Sequence, residues 1–219
     1  MILSIEPGLK KKCPSAALGR VTGRVRTADS PLELLGELVS CEDAILKFPD
    51  PRAILDAPAI SATRSGYRAL GKDPARYRGS SEALLRRIIS GKHFPNINCV
   101  VDVINLVSVE SRLPIGLYDL ARVKGDVTFR AGHRGETYKG IGKYDLNLED
   151  LPVFCDATGP FGSPTSDSER TCVTATTESV SAILIAFGGP QSLEAWCRRL
   201  TELLERYAGG GELQTEVLI

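Results

Sequence analysis

Histidine is scarce in this 219-residue sequence, with His93 and His133 alone. The six cysteines (Cys13, Cys41, Cys99, Cys155, Cys172 and Cys197) contain no C-x-x-C pair. A metal site would need mixed ligands from distant segments, so no metal and no cofactor are expected. Net charge is also lacking, because 27 Lys and Arg balance 27 Asp and Glu. That weakens non-specific nucleic-acid binding, which feeds on overall positive charge, and leaves room only for a local basic face. Long apolar runs are missing: the longest, Ala182 to Phe187, is far below the roughly 20 residues that a bilayer demands. No membrane partner is expected. The basic run Lys10 to Lys12 follows the short apolar start instead of preceding it, so no signal peptide is read, a cytoplasmic location is expected, and the cysteines are read as reduced, mostly core thiols. P-loop, dinucleotide-binding glycine and G-x-S-x-G patterns are all absent.

What is present is ordinary globular material. Hydrophobic residues make up 42% and charged residues 25%, enough for a proper core without covalent staples. No repeat interrupts it, and a single domain over residues 1–219 of mixed α+β class is expected. Leu32, Leu35 and Leu38 have helical spacing, whereas Pro51 to Pro58 reads as a connection. Residues 79–91 predict a helix that Ser80 can cap and Gly91 ends, with Leu84, Leu85, Ile88 and Ile89 as its buried stripe. Asn98 to Val109 is rich in Val and Ile, yet as a helix it places Asn98, Asp102 and Asn105 on one face; as a strand it would split them. Helix is the more economical reading, since an apolar segment rarely buries polar groups without partners. Val127 and Phe129 alternate with polar residues before a turn at Gly132 to Gly135. Val153 to Asp156 predicts a strand, Ala157 to Arg170 a loop, and Ser179 to Phe187 a fully buried strand. Pro190 opens a helix with Leu193, Cys197, Leu200, Leu204 and Tyr207 on one side. Leu213, Thr215 and Val217 then mark a last, edge-like strand.

Four groups of residues are candidates for chemistry. Arg64, Arg68, Lys72, Arg76, Arg78, Arg86, Arg87 and Lys92 crowd one segment, opposed only by Asp73 and Glu82 and interleaved with Tyr67 and Tyr77. Clustered cations suit phosphates and aromatic faces suit unpaired bases, although a solvated, salt-bridged face has the same composition. Asn98, Asp102 and Asn105 could line a pocket, or simply cap and tie their helix. Gly116, between bulky neighbours before Tyr118 and Asp119, implies close backbone approach or a positive φ. The loop Gly162 to Ser168 is long enough to carry binding residues.

Taken in order, these pieces resemble a known family. Residues 97–107 (INCVVDVINLV) and 113–120 (LPIGLYDL), followed by Gly135-Glu136-Thr137 and Asp167-Ser168-Glu169-Arg170-Thr171, resemble the B3/B4 domain of the phenylalanyl-tRNA synthetase β subunit. Arg64 to Arg87 is similar to the lead-in of free-standing B3/B4 proteins, and the likeness covers Ser61 to Phe187. It implies a three-layer fold with a β-sandwich of unusual topology, on which residues 190–219 pack as a helix and strand. It also implies tRNA or aminoacyl-tRNA as partner. In the synthetase this domain hydrolyses tyrosine mischarged onto the phenylalanine tRNA, chemistry that positioning can drive without a metal. Asn98, Asn105, Tyr118, Asp119, Asp167 and Ser168 carry over by position. Gly116 stands where the synthetase has histidine and Ser166 where it has glutamate, and its Thr-Asp-Ala-Ser segment has no match after Phe187. No catalytic residue is assigned. The resemblance implies recognition of tRNA with editing hydrolysis as one outcome; the alternative is a non-catalytic module for an amino-acid-like small molecule. Oligomeric state is left open.

Overall fold

The computed structural model describes residues 1–142 and 145–219. In chain order the elements are β1 Leu3–Ile5, α1 Pro7–Lys12, β2 Ala17–Arg24, α2 Leu32–Leu46, α3 Pro58–Leu70, α4 Ser80–Ile89, α5 Cys99–Ser111 and β3 Ile115–Asp119. They continue with β4 Val127–Ala131, β5 Thr137–Lys139, β6 Asp145–Asn147, β7 Pro152–Asp156, β8 Gly159–Gly162, β9 Ser179–Ala186, α6 Leu193–Tyr207 and β10 Gly211–Leu218. Short 3₁₀ turns span Pro51–Asp56, Leu120–Arg122 and Glu169–Thr171.

Two four-stranded sheets organise the chain. One has the order β10-β2-β9-β3 and is antiparallel throughout. The other has the order β1-β4-β7-β8, with β1 and β4 parallel and the remaining pairs antiparallel. Successive side chains on a strand face opposite ways, so a strand buried on both faces must be apolar at every position. β9 obeys this rule. Val180, Ala182, Leu184 and Ala186 join a core shared with α2, α4, α5 and α6, while Ile183 and Ile185 join a second core with Phe129, Val153, Phe154 and Phe161 of the other sheet. The β10-β2-β9-β3 sheet is therefore the middle of three layers, between a helical layer and the second sheet. α3 belongs to both cores, through Ile60 in one and Tyr67 and Leu70 in the other. The expected α+β class and three layers are found.

Most elements lie where the pattern placed them. α4 follows its expected stripe, with Leu85 and Ile88 fully buried and Leu84 and Ile89 partly so. Its cap differs. Gly79, not Ser80, holds the N-cap position, and the Ser80 hydroxyl is buried without a partner among the described residues. The reason is space: a Cβ at Gly79 would press Pro114 and Thr63 at 3.2 and 3.3 Å. The segment 157–170 is not loop throughout, because Gly159–Gly162 pairs with β7 as the edge of its sheet. Composition hides it, since glycine and proline are tolerated at edges. Residues 58–70 form a helix with Pro58 at its start, where a missing N–H costs nothing. Among the described residues no helix is long and apolar enough to cross a membrane.

Candidate functional site

β3 is the outer strand of the middle sheet, and what it presents sets the candidate site. Register pairs Gly116 with Ile183 and Tyr118 with Ser181 of β9. Period two then sends Ile115 and Leu117 toward the helices, while Tyr118 enters the core between the sheets. The Tyr118 ring is fully buried. It meets Phe161 edge-on at a centroid distance of 4.7 Å and Phe154 at 5.8 Å, contacts worth about 0.5–1.5 kcal/mol each beyond their buried area. The ring lies back over its own strand and across to β8. A Cβ on Gly116 would come within 2.0 Å of the Tyr118 hydroxyl, and one on Gly162 within 2.1 Å. Both glycines serve close approach; neither has a positive φ.

The loop after β8 is tied to this phenol. The Tyr118 hydroxyl donates to Asp167 Oδ1 at 2.9 Å, and the Leu117 backbone N–H donates to Asp167 Oδ2 at 3.1 Å. Asp167 thus stands in for a neighbouring strand along the open edge of β3, where unpaired backbone groups would otherwise invite association. Burial first, then the Asp167 charge, pushes the Tyr118 phenol well above its ordinary pKa, so it stays a hydrogen-bond donor. Beside it, the Tyr138 hydroxyl donates to Ser163 Oγ at 3.0 Å and to the Ser166 carbonyl. Ser163 Oγ also donates to the Ser166 carbonyl at 2.9 Å, and Tyr67 shares a 2.8 Å hydroxyl contact with Thr165. One polar atom here is orphaned. Ser181, the register partner of Tyr118, buries its hydroxyl with no partner among the described residues.

The structure thus brings Gly116, Tyr118, Ser166 and Asp167 together, with Ser168 next in the chain. It does not bring Asn98 or Asn105 to them. Both belong to the helical side of the middle sheet. Asn98 caps α5, accepting from the Val101 N–H at 3.0 Å. Asp102 is fully buried and accepts from the Ser30 hydroxyl at 2.6 Å and the Ile97 N–H at 3.2 Å. Burial holds its carboxyl above the ordinary value, against the lowering effect of those two bonds. Asp119 and Ser168 each cap a 3₁₀ turn, Asp119 through the Ala121 N–H and Ser168 through the Arg170 N–H. Asp119 also accepts from Thr177 at 2.8 Å. Sequence reasoning missed Tyr138 and Ser181, and it named Tyr67 only as an aromatic face beside the cations and Ser163 only as part of the candidate loop. The Gly116 and Gly162 pair was the available signal for a bulky group lying between two strands.

The basic segment divides by exposure. Glu82, 5% exposed, receives bidentate donation from Arg64 at 2.9 and 3.0 Å and a further bond from Arg86 at 2.7 Å. Burial pushes the Glu82 carboxyl up, but these arginines outweigh it and hold the group below its ordinary pKa. Lys72 leaves the surface. It is buried, donates to the Asn147 and Glu149 carbonyls, and packs its ammonium 4.1 Å from the centre of the Tyr77 ring. Arg87 is exposed and donates to the His93 carbonyl. Arg68, Arg76 and Arg78 are exposed and make no ion pair among the described residues. Arg64, Arg68, Arg78 and Arg86 together line a notch of about 330 Å³, with Asp73 and Glu82 at its wall.

Comparison with known proteins agrees with this architecture. The family model described as "B3/4 domain" matches residues 62–209. The phenylalanine–tRNA ligase β subunit of Brucella abortus (strain 2308) is 28% identical over 110 residues, which cover 50% of this chain and 14% of that protein. The corresponding subunit of Cutibacterium acnes is 37% identical over 86 residues, 38% of this chain and 10% of that protein. Each match therefore spans only a small part of those ligase subunits. Among solved structures, an N-terminal fragment of the phenylalanyl-tRNA synthetase β subunit from Pyrococcus horikoshii superposes with a TM-score of 0.50. It is 15% identical and covers 97% of this chain and 50% of the fragment, a likeness of fold.

Proposed function

The chain belongs to the B3/4 domain family, and on that premise we propose that it is a cytoplasmic module that binds tRNA or aminoacyl-tRNA through the arginine surface of α3, α4 and the segment between them. It acts as one domain, since a single sheet is shared by both cores. The observation that carries this reading is the set of exposed arginines Arg68, Arg76 and Arg78, which make no ion pair among the described residues; Arg68 and Arg78 line a notch whose other two arginines are fixed by Glu82. Fixed guanidinium forks suit phosphate oxygens, and mobile ones add charge. That this surface persists on a chain of zero net charge supports a localised anionic partner. The ligase β subunits among the relatives point the same way.

The interior favours binding over hydrolysis. Water attacking an ester needs a polar group free to orient it and room for the substrate. Around β3 the phenol of Tyr118 fills the space next to Gly116 and Gly162, and the hydroxyls of Tyr138 and Ser163 are spent on the chain itself. Anisotropy of labelled, unacylated tRNA between about 50 and 200 mM salt tests the reading. Affinity is expected to fall steeply as salt displaces phosphate contacts, and an Arg68→Ala/Arg78→Ala double variant is expected to flatten the salt slope by about two. Affinity indifferent to salt, or a double variant that binds like the parent, would sink it. Release of amino acid above the uncatalysed rate from a panel of charged tRNAs would instead put the hydrolase reading ahead.

A further inference from the structure

A second concavity lies in the helical layer, across the middle sheet from Tyr118. It has a volume of about 1050 Å³ and is bounded by α2, the 3₁₀ turn at 51–56, the end of α5, and α6. That is at the upper end of the range for small-molecule sites. One stretch of its wall is apolar, from Ala44, Ile45, Phe48, Ile54 and Ala57, and Trp196 adds an aromatic face.

Arg112 is the unusual group in this wall. It follows α5 with φ 64 and ψ 12. Helices commonly place glycine in this left-handed position, because a Cβ is penalised there. Arginine gains nothing from that backbone, so its presence asks what the side chain does. Its guanidinium forms no ion pair and no hydrogen bond among the described residues, unlike its neighbours. Glu37 and Glu110 are both taken by Arg199, and Glu37 by Arg206 and Tyr207 as well. Arg206, from outside the lining, joins Arg199 in neutralising those two glutamates, which leaves Arg112 as the lining guanidinium whose hydrogen-bond positions are open among the described residues. Glu33, the remaining lining acid, lies eight residues before Cys41 on α2, about 12 Å along the helix, whereas Cys41 interacts electrostatically with Arg112. Burial lowers the Arg112 pKa despite the opposing effects of Cys41 and Glu110, so the charge is partly desolvated. Burial also lifts the Cys41 thiol to about 11, which makes it a neutral part of the wall and not a nucleophile.

We infer that this groove binds a small amphipathic carboxylate, its anionic head on the Arg112 fork and its apolar body along Phe48, Ile54 and Trp196. A single unpaired guanidinium calls for a single anion, and its geometry matches a carboxylate in bidentate fashion. The adjoining apolar wall rewards a hydrocarbon or aromatic body and not a free inorganic ion. The site is separate from the tRNA reading and stands or falls without it.

Trp196 is the sole tryptophan, so its fluorescence reports on this groove alone. Decanoate titrated into the full chain is expected to give a saturable change in Trp196 emission, and decanol, the same body without charge, a much weaker one. Arg112→Gly removes the cation and relieves the left-handed backbone; it is expected to fold at least as stably as the parent and to bind decanoate about tenfold or more weakly. Arg112→Lys, which keeps a charge but not the fork, is expected to fall between. A change that fails to saturate, decanol equal to decanoate, or Arg112→Gly with parental affinity would each overturn the assignment.

Discussion

Gly116 and Tyr118 form one packing unit, because residues two apart on a strand share a face and the phenol lies over the glycine. Gly116→Ala is expected to cost about 1–3 kcal/mol in urea unfolding, the usual range for overfilling a tight core. Combining it with Tyr118→Leu is expected to cost less than the two single changes summed, since the smaller side chain vacates the contested space. Strictly additive losses would show that the two do not meet. The sequence reading anticipated close approach at Gly116 but not what approaches, because β3 went unassigned and period two could not be applied. Residue identity likewise announced a basic surface without distinguishing Lys72, which is spent on two backbone carbonyls, from Arg78, which is exposed. Exposure depends on partners far along the chain, and Lys72 finds its own at Asn147 and Glu149.

Among elements, α5 was the most legible. Three- and four-residue steps distinguished helix from strand despite its β-branched composition, and a capping asparagine marked its start. The same asparagine shows where the reading stops. As the N-cap, Asn98 satisfies a backbone N–H at the helix end, which accounts for its presence without a ligand. Asn98→Ala is expected to lower stability by about 1 kcal/mol, or roughly 2–4 °C in thermal midpoint for a chain of this size. A midpoint unchanged within error would mean that the cap contributes nothing. β8 and α3 escaped detection for opposite reasons. In β8, glycine and proline resemble a turn although an edge strand accepts them. In α3, the polar and basic residues drew the eye to charge and away from the stripe formed by Ile60, Thr63, Tyr67 and Leu70.

At the scale of the whole molecule, acid is expected to unfold the protein early. Burial pushes the Glu37, Glu82 and Asp156 carboxyls up, yet hydrogen bonds from arginines and other donors prevail and leave all three below their ordinary values. Glu136 is lowered chiefly by its bond to Arg130. Groups lowered by folding contribute stability that is complete above their unfolded pKa, about 4, and disappears as pH falls through the folded value. Thermal midpoints are expected to be level near neutrality and to drop below about pH 5, only partly offset by Asp102, which is raised. A midpoint that holds steady to pH 3 would mean that these ion pairs contribute little. The three layers were implied by the family resemblance, and the pattern of β9 by itself indicated only a buried strand; strand order was not legible, because pairing joins segments that no local pattern connects. β2 illustrates the gap: it ends at Arg24, and both of its neighbours, β9 and β10, lie beyond residue 178. During synthesis at about 5–20 residues per second, that strand waits roughly 8–30 s with both edges bare before its first partner is made. The middle layer is thus the last part of the protein to be completed, and its first-made strand is the one most in need of shelter on the ribosome.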